Sequence, residues 1–223
     1  MRLIKTNKMK KVFTLLALSL TVMVSAQNKI TEGVIVSKQT MSSDNEQVKA
    51  QLEMMGAMET TTYFKNDKTR SELSNPMSGD VVTVSDSENI LMLMDNPMMG
   101  KKYMLQNVKE AEKQVQDIQV TPGTETKTIL GYECKQYSVK LKQITGSVEM
   151  EMYTTEAIPA KSQQTSMVGE KVKGFPLYVV MKMNQKETNM VITTEVTDIK
   201  KEAVADDKFD MTPPEGYEKM DGQ

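Results

Sequence analysis

A chain without histidine has few ways to run acid–base or nucleophilic chemistry at neutral pH. These 223 residues contain no His, no Trp and a single Cys. Neither a Ser/His nor a Cys/His pair can therefore be assembled, and the His/Cys ligand spacings of a zinc site are absent. Cys134 has no second cysteine for an internal disulfide and reads as a small, weakly reactive strand residue. Two carboxylate pairs remain, Glu149/Glu151 and Asp206-Asp207. The first lies on the wet face of a strand and the second in a polar tail, where a solvated charge is the default. The residue in excess is methionine, 21 in all. Thioethers suit Cu(I), and Pro97-Met98-Met99-Gly100 or Met54-Met55-Gly56-Ala57-Met58 could supply them. No His and no Met-x-x-Met array with polar flanks accompanies these runs, so the signal for soft-metal binding is weak. No catalysis and no cofactor are expected.

What the methionines can do is set by their spacing. Met92/Met94, Met150/Met152 and Met181/Met183 sit two apart, which puts both members of each pair on one face of a strand. A face built from flexible thioethers re-packs around irregular apolar shapes. The expected lining of such a face is Met92 and Met94, then Val148, Met150 and Met152, then Val179, Met181 and Met183. Met190 and Ile192 complete it. Leu52, Met54, Met55 and Met58, at helical spacing, are the expected lid. An apolar ligand, a lipid or acyl chain, would bind between them with no chemical step. The alternative is a structural or protein-interaction protein whose methionines fill an ordinary core. In that case exposed sheet edges would need charge protection, which Lys182 to Lys186 could give.

The elements that must position these residues can be read along the chain. Ile30 to Gln39 alternates as a strand. Ser43-Asp44 offers an N-cap for a helix over Glu46 to Met58. Short strands follow over 60–65, 69–73, 80–85, 89–94 and 101–106, separated by Asn66-Asp67, Asn75-Pro76 and Asn96-Pro97. Val108 to Asp117 carries apolar residues at helical spacing. Thr121-Pro122-Gly123 is expected to break the chain. Strands over 126–130, 133–141 and 146–154 come next, then Lys161 to Lys173 as a loop or weak helix placed to act as a lid. A hairpin over 175–183 and 189–198 and an irregular tail close the sequence. About ten strands, two helices and no alternating βα rhythm predict an α+β fold, an antiparallel sheet with helices on one side. A sheet of that size curls.

The amino terminus is set apart by composition. Arg2, Lys5, Lys8, Lys10 and Lys11 precede an apolar run from Val12 to Val24, and Val24-Ser25-Ala26 has the small residues of a cleavage site. Residues 1–26 are therefore expected to be a signal peptide, with Met1 or Met9 as the start, and 27–223 a single exported domain, periplasmic or secreted. Loss of the leader removes five basic and no acidic residues, taking the formal charge from −2 to −7. No basic stripe remains to hold nucleic acid. No second apolar run is long enough to span a membrane.

Several segments together resemble a known family. Lys68-Thr69-Arg70-Ser71-Glu72-Leu73 follows the first strand and helix. Midway comes Leu130-Gly131-Tyr132-Glu133-Cys134-Lys135-Gln136-Tyr137. The end is Phe209-Asp210-Met211-Thr212-Pro213-Pro214-Glu215-Gly216-Tyr217. The chain resembles the exported bacterial domains of unknown function numbered DUF4412, within the LolA/LppX-like lipoprotein-carrier superfamily. The resemblance implies an unclosed, strongly curved antiparallel half-barrel with helices packed on its concave face, and a cavity between them for lipid or lipoprotein acyl chains. In the carrier an Arg on an early strand holds the helical lid through backbone carbonyls. Arg70, the only Arg after residue 26, takes that place here.

Overall fold

The computed structural model describes residues 29–75, 79–110, 118–143, 146–185 and 188–220. The proposed leader lies outside them, as do most of the helix expected over 108–117 and the tip of the Asn75-Pro76 turn. Within them, twelve strands form one sheet, and helix is scarce. The fold is mostly β rather than a balanced α+β arrangement. The strands are β1 (Glu32–Ser43), β2 (Met58–Lys65), β3 (Lys68–Asn75), β4 (Gly79–Ser85), β5 (Asn89–Asn96) and β6 (Gly100–Asn107), then β7 (Ile118–Ile129), β8 (Tyr132–Gln143), β9 (Gly146–Thr155), β10 (Phe175–Gln185), β11 (Thr188–Lys200) and β12 (Glu218–Lys219). Among the described residues, α1 (Glu46–Met55) and α2 (Gln163–Val168) interrupt them, and residues 108–110 are also helical.

The sheet order is β12-β6-β5-β4-β3-β2-β1-β11-β10-β9-β8-β7. Two meanders, β1–β6 and β7–β11, each made of neighbours in sequence, meet only where β1 pairs with β11. Every pairing is antiparallel except the short β12–β6 contact. The edges, β7 and β12, do not pair with each other, so the sheet is unclosed.

Chain length forces the sheet to curve. Ten strand steps separate β6 from β7, about 48 Å if the sheet were flat. Only eleven residue steps join Asn107 to Ile118, at most about 40 Å fully extended. A flat sheet cannot satisfy that link.

Local sequence explains the boundaries. Asn45, not Asp44, caps α1, its side chain accepting from the Gln47 and Val48 amides. The helix stops three residues short of the expected Met58. Gly56 takes a positive φ of 67°, and its amide bonds back to the Leu52 and Glu53 carbonyls. Met58 therefore starts β2. The β7–β8 turn has positive φ at both Leu130 and Gly131, the twist a two-residue hairpin favours. Thr121-Pro122-Gly123 does not end a strand. β7 runs through it with an irregularity between Pro122 and Thr126, because an edge strand tolerates a residue with no amide hydrogen. Lys182 lies on β10, between β9 and β11, and so guards no edge.

Candidate functional site

Register decides which side chains meet. Across β8 to β11, Val139, Met150, Met181 and Ile192 stand opposite one another in a row. Tyr137, Met152, Val179 and Thr194 form the next row, and Leu141, Val148, Met183 and Met190 a third. The rows continue over β1, where Met41 faces Ile192 and Gln39 faces Thr194. They then cross β2, β3 and β4 to β5, where Met92 faces Thr83 and Met94 faces Val81. All ten expected lining residues therefore share one face of the sheet. That face also carries Met41, Met58 and Met104, the last paired with Met92.

The shared face is the concave one. A cavity of about 130 Å³ is lined by Val81 and Thr83 of β4, Val179 of β10, and Ser162 and Gln164 at the head of α2. Strands β4 and β10 are five steps apart, about 24 Å on a flat sheet. They border one small cavity only because the sheet bends round it.

Burial along this face is uneven. Met150 and Met152 are buried in a cluster with Val139, Leu141, Val148 and Val179, and Val168 of α2 and Val172 beyond it pack into the same cluster. Met181 and Met183 are half-buried against it. Met190 and Ile192 on β11, and Met92, Met94 and Met104 at the far end, are also half-buried. Between the two ends the face turns polar. Ser37, Gln39, Thr60, Thr62, Ser71, Thr83 and Thr194 line the cavity, with Leu73 and Val196 among them.

The expected lid residues do not act as one group. Leu52 is the buried residue of α1, Met55 is half-buried, and Met54 is 79% exposed. Met58 is buried on β2. Arg70 points to the opposite, convex side. Its strand partners there are Tyr63 and Val84. Its Nε pairs with the Glu72 carboxylate at 2.5 Å, and its Nη1 donates to the Lys208 carbonyl at 3.4 Å. Arg70 thus holds a backbone carbonyl, but that of the tail. The tail runs along the convex side, where Val204 and Phe209 bury Val84, Leu91 and Leu93, and Met211 and Tyr217 pack against them.

The remaining chemical candidates are also placed. Met98 is 94% exposed in the β5–β6 turn, apart from Met54. Cys134 is buried, and burial pushes its thiol up to about 11, so it stays protonated at neutral pH. Lys65, hydrogen-bonded to Asp206 at 2.9 Å, holds that carboxyl below its ordinary value. Glu149 pairs with Lys140 at 3.1 Å, and Glu151 accepts from Gln136 and from the Tyr153 hydroxyl. These carboxylates are engaged in ordinary surface contacts.

Sequence reading missed the hydroxyl-lined centre. The signal was present in Thr60, Thr62, Ser71 and Thr83, which alternate on three successive strands. Lys161 to Lys173, expected as a loop or weak helix placed to act as a lid, contains α2, which the reciprocal capping box of Ser162 and Thr165 starts and which delivers Val168.

Fold and site together define a curved, unclosed antiparallel sheet with a methionine-bearing concave face. The chain belongs to the family described as a domain of unknown function, DUF4412, which it matches over residues 32–217. No curated protein matches it. Among solved structures it is similar to PNGF-II, at 15% identity and a TM-score of 0.44, over 84% of this chain but 31% of that one. The chain thus spans about a third of PNGF-II. It is also similar to the Mycobacterium tuberculosis lipoprotein LppX, at 8% identity and a TM-score of 0.32, over 86% of this chain and 97% of that one. Neither likeness is strong enough to carry an argument about fold or function.

Proposed function

We propose that this is an exported, non-catalytic cell-envelope protein that binds an apolar ligand, a lipid or acyl chain, on the concave face of its sheet. Residues 1–26 would direct export and be removed, leaving a single domain. The observation that carries the reading is the incomplete burial of the apolar side chains at the two ends of one sheet face. Met92, Met94, Met104, Met181, Met183, Met190 and Ile192 share that face and are only half-buried. Each ligand methylene buried there contributes about 0.8 kcal/mol, and flexible thioethers adapt to more than one chain shape. The cover in this reading is α2 with Val172, rather than α1. The 130 Å³ cavity lies below the roughly 300 Å³ at which ligand pockets begin, so binding would require α2 to move outward. Among the described residues no helix is long and apolar enough to cross a membrane.

The test is direct. The protein, expressed from its full sequence and purified from the cell envelope, is extracted with organic solvent and the extract examined by mass spectrometry. Near-stoichiometric lipid is expected. A lipid-free extract, together with no binding of a fluorescent fatty-acid probe, would leave the packed-core reading in its place.

A further inference from the structure

The cavity in the middle of the concave face is lined by apolar side chains, among them Leu73, Phe175, Pro176 and Val196, and by an unusual number of polar ones. Its lining includes hydroxyls from Ser37 on β1, Thr60 and Thr62 on β2, Ser71 on β3, Thr83 on β4 and Thr194 on β11. The amides of Gln39 and Gln164 face the same space. Thr62 Oγ1 and Ser71 Oγ bond to each other at 2.9 Å, and Ser37 Oγ donates to the Thr60 carbonyl at 3.5 Å. Among the described residues, the side chains of Gln39, Thr60, Thr83, Gln164 and Thr194 make no hydrogen bond. None of their polar atoms is fully buried, since no buried side-chain nitrogen or oxygen among the described residues lacks a partner. An alkyl chain laid over these groups would strip their water and return nothing.

No charged side chain lines the cavity among the described residues. An anionic head, a carboxylate or phosphate, would be desolvated there without a counter-charge, which is strongly unfavourable. Hydroxyls and amides both donate and accept, and so match a neutral group that does the same. The cavity volume is about 130 Å³. That volume suits a compact polar head. On either side of the cavity the same face carries methionines, Met92 and Met94 one way and Met181 the other.

We infer that this cavity is a headgroup site, selecting amphiphiles whose polar end is uncharged and rich in hydroxyl or ester oxygens, while the tail lies on the neighbouring methionine-bearing face. The inference rests on the apolar-ligand reading above and narrows it. Three oleoyl compounds with one tail separate the possibilities: monoolein, oleate and lyso-oleoyl-phosphatidylglycerol. Each is titrated at pH 8 against a bound fluorescent apolar probe on the protein purified from the envelope. Monoolein is expected to displace the probe at about tenfold lower concentration than either anion. In the Thr60→Val, Thr83→Val double variant that preference should vanish, monoolein then displacing the probe no better than oleate; near-isosteric replacements on strands keep the fold, which a thermal melt checks. Equal or better displacement by an anionic lipid overturns the inference and leaves apolar binding standing, as does a preference that survives in the double variant. Displacement by none of the three overturns the apolar-ligand reading itself.

Discussion

The two ends of the concave face carry the same residue at the same spacing and treat it differently. On β9, Met150 and Met152 are buried, Met152 completely, beneath Val168 and Val172. On β5, Met92 and Met94 are half-buried, while their neighbours Leu91 and Leu93 point the other way and are sealed by Val204 and Phe209. A two-residue spacing therefore fixes the face and says nothing about cover. Cover comes from whichever segment crosses the strand: α2 over β9, the tail over the back of β5. Where residues must fill a fixed contact at the β5 end, the chain uses branched Leu and Val. Where they stand half-open, it uses Met, whose unbranched side chain packs many shapes at little cost.

That contrast can be broken or sharpened by experiment. The largest effect belongs to Met152→Ala, which should cost about 2–5 kcal/mol of stability, read as a lowered urea midpoint. A loss similar to that of a surface substitution would mean that the β9 end is not a packed core. Val168→Ala should cost about 2 kcal/mol and should also expose Met150 to oxidation. Under limiting peroxide, mass spectrometry of the native protein should find sulfoxide first at Met98 and Met54, then at Met92 and Met94, and last at Met150 and Met152. In the Val168→Ala variant Met150 should move up that order. The smallest effect is expected for the Met92→Ala, Met94→Ala pair, about 1 kcal/mol in total. Its larger consequence should be weaker displacement of an apolar probe. A stability loss matching that of Met152→Ala would erase the distinction between the ends.

Much of this was legible in the sequence, and the gaps have physical causes. Alternation located every strand from β1 to β11 to within a few residues, except β7. There Pro122 looked like a break, and only its position at an edge makes it tolerable. The ten lining residues fall on one face because period two is a local property that register carries across the sheet. The lid did not follow, because helical spacing in Leu52, Met55 and Met58 is blind to Gly56, which ends α1 and hands Met58 to β2. Nor could spacing reveal that the opposite face of β3 would be occupied by the tail, which turns Arg70 toward Lys208. The segments that carry the family resemblance are scaffold. Leu130-Gly131 makes the hairpin turn, Cys134 sits in a core with Tyr153 and Leu177, and Phe209 and Tyr217 pack the tail. Family membership therefore marks the shape more firmly than the ligand.

The order of the strands also says when a binding site can exist. Each meander is built from hairpins between near neighbours, which close quickly, whereas β1 and β11 are brought together across more than a hundred residues. That single seam is the slow contact. The hydroxyl cavity straddles it, with Ser37 and Gln39 on one side and Thr194 and Val196 on the other. Neither half can form the cavity alone. A nascent or partly unfolded chain has no pocket to fill prematurely, and a ligand once seated across the seam would act as a clasp, slowing the step by which the two halves come apart.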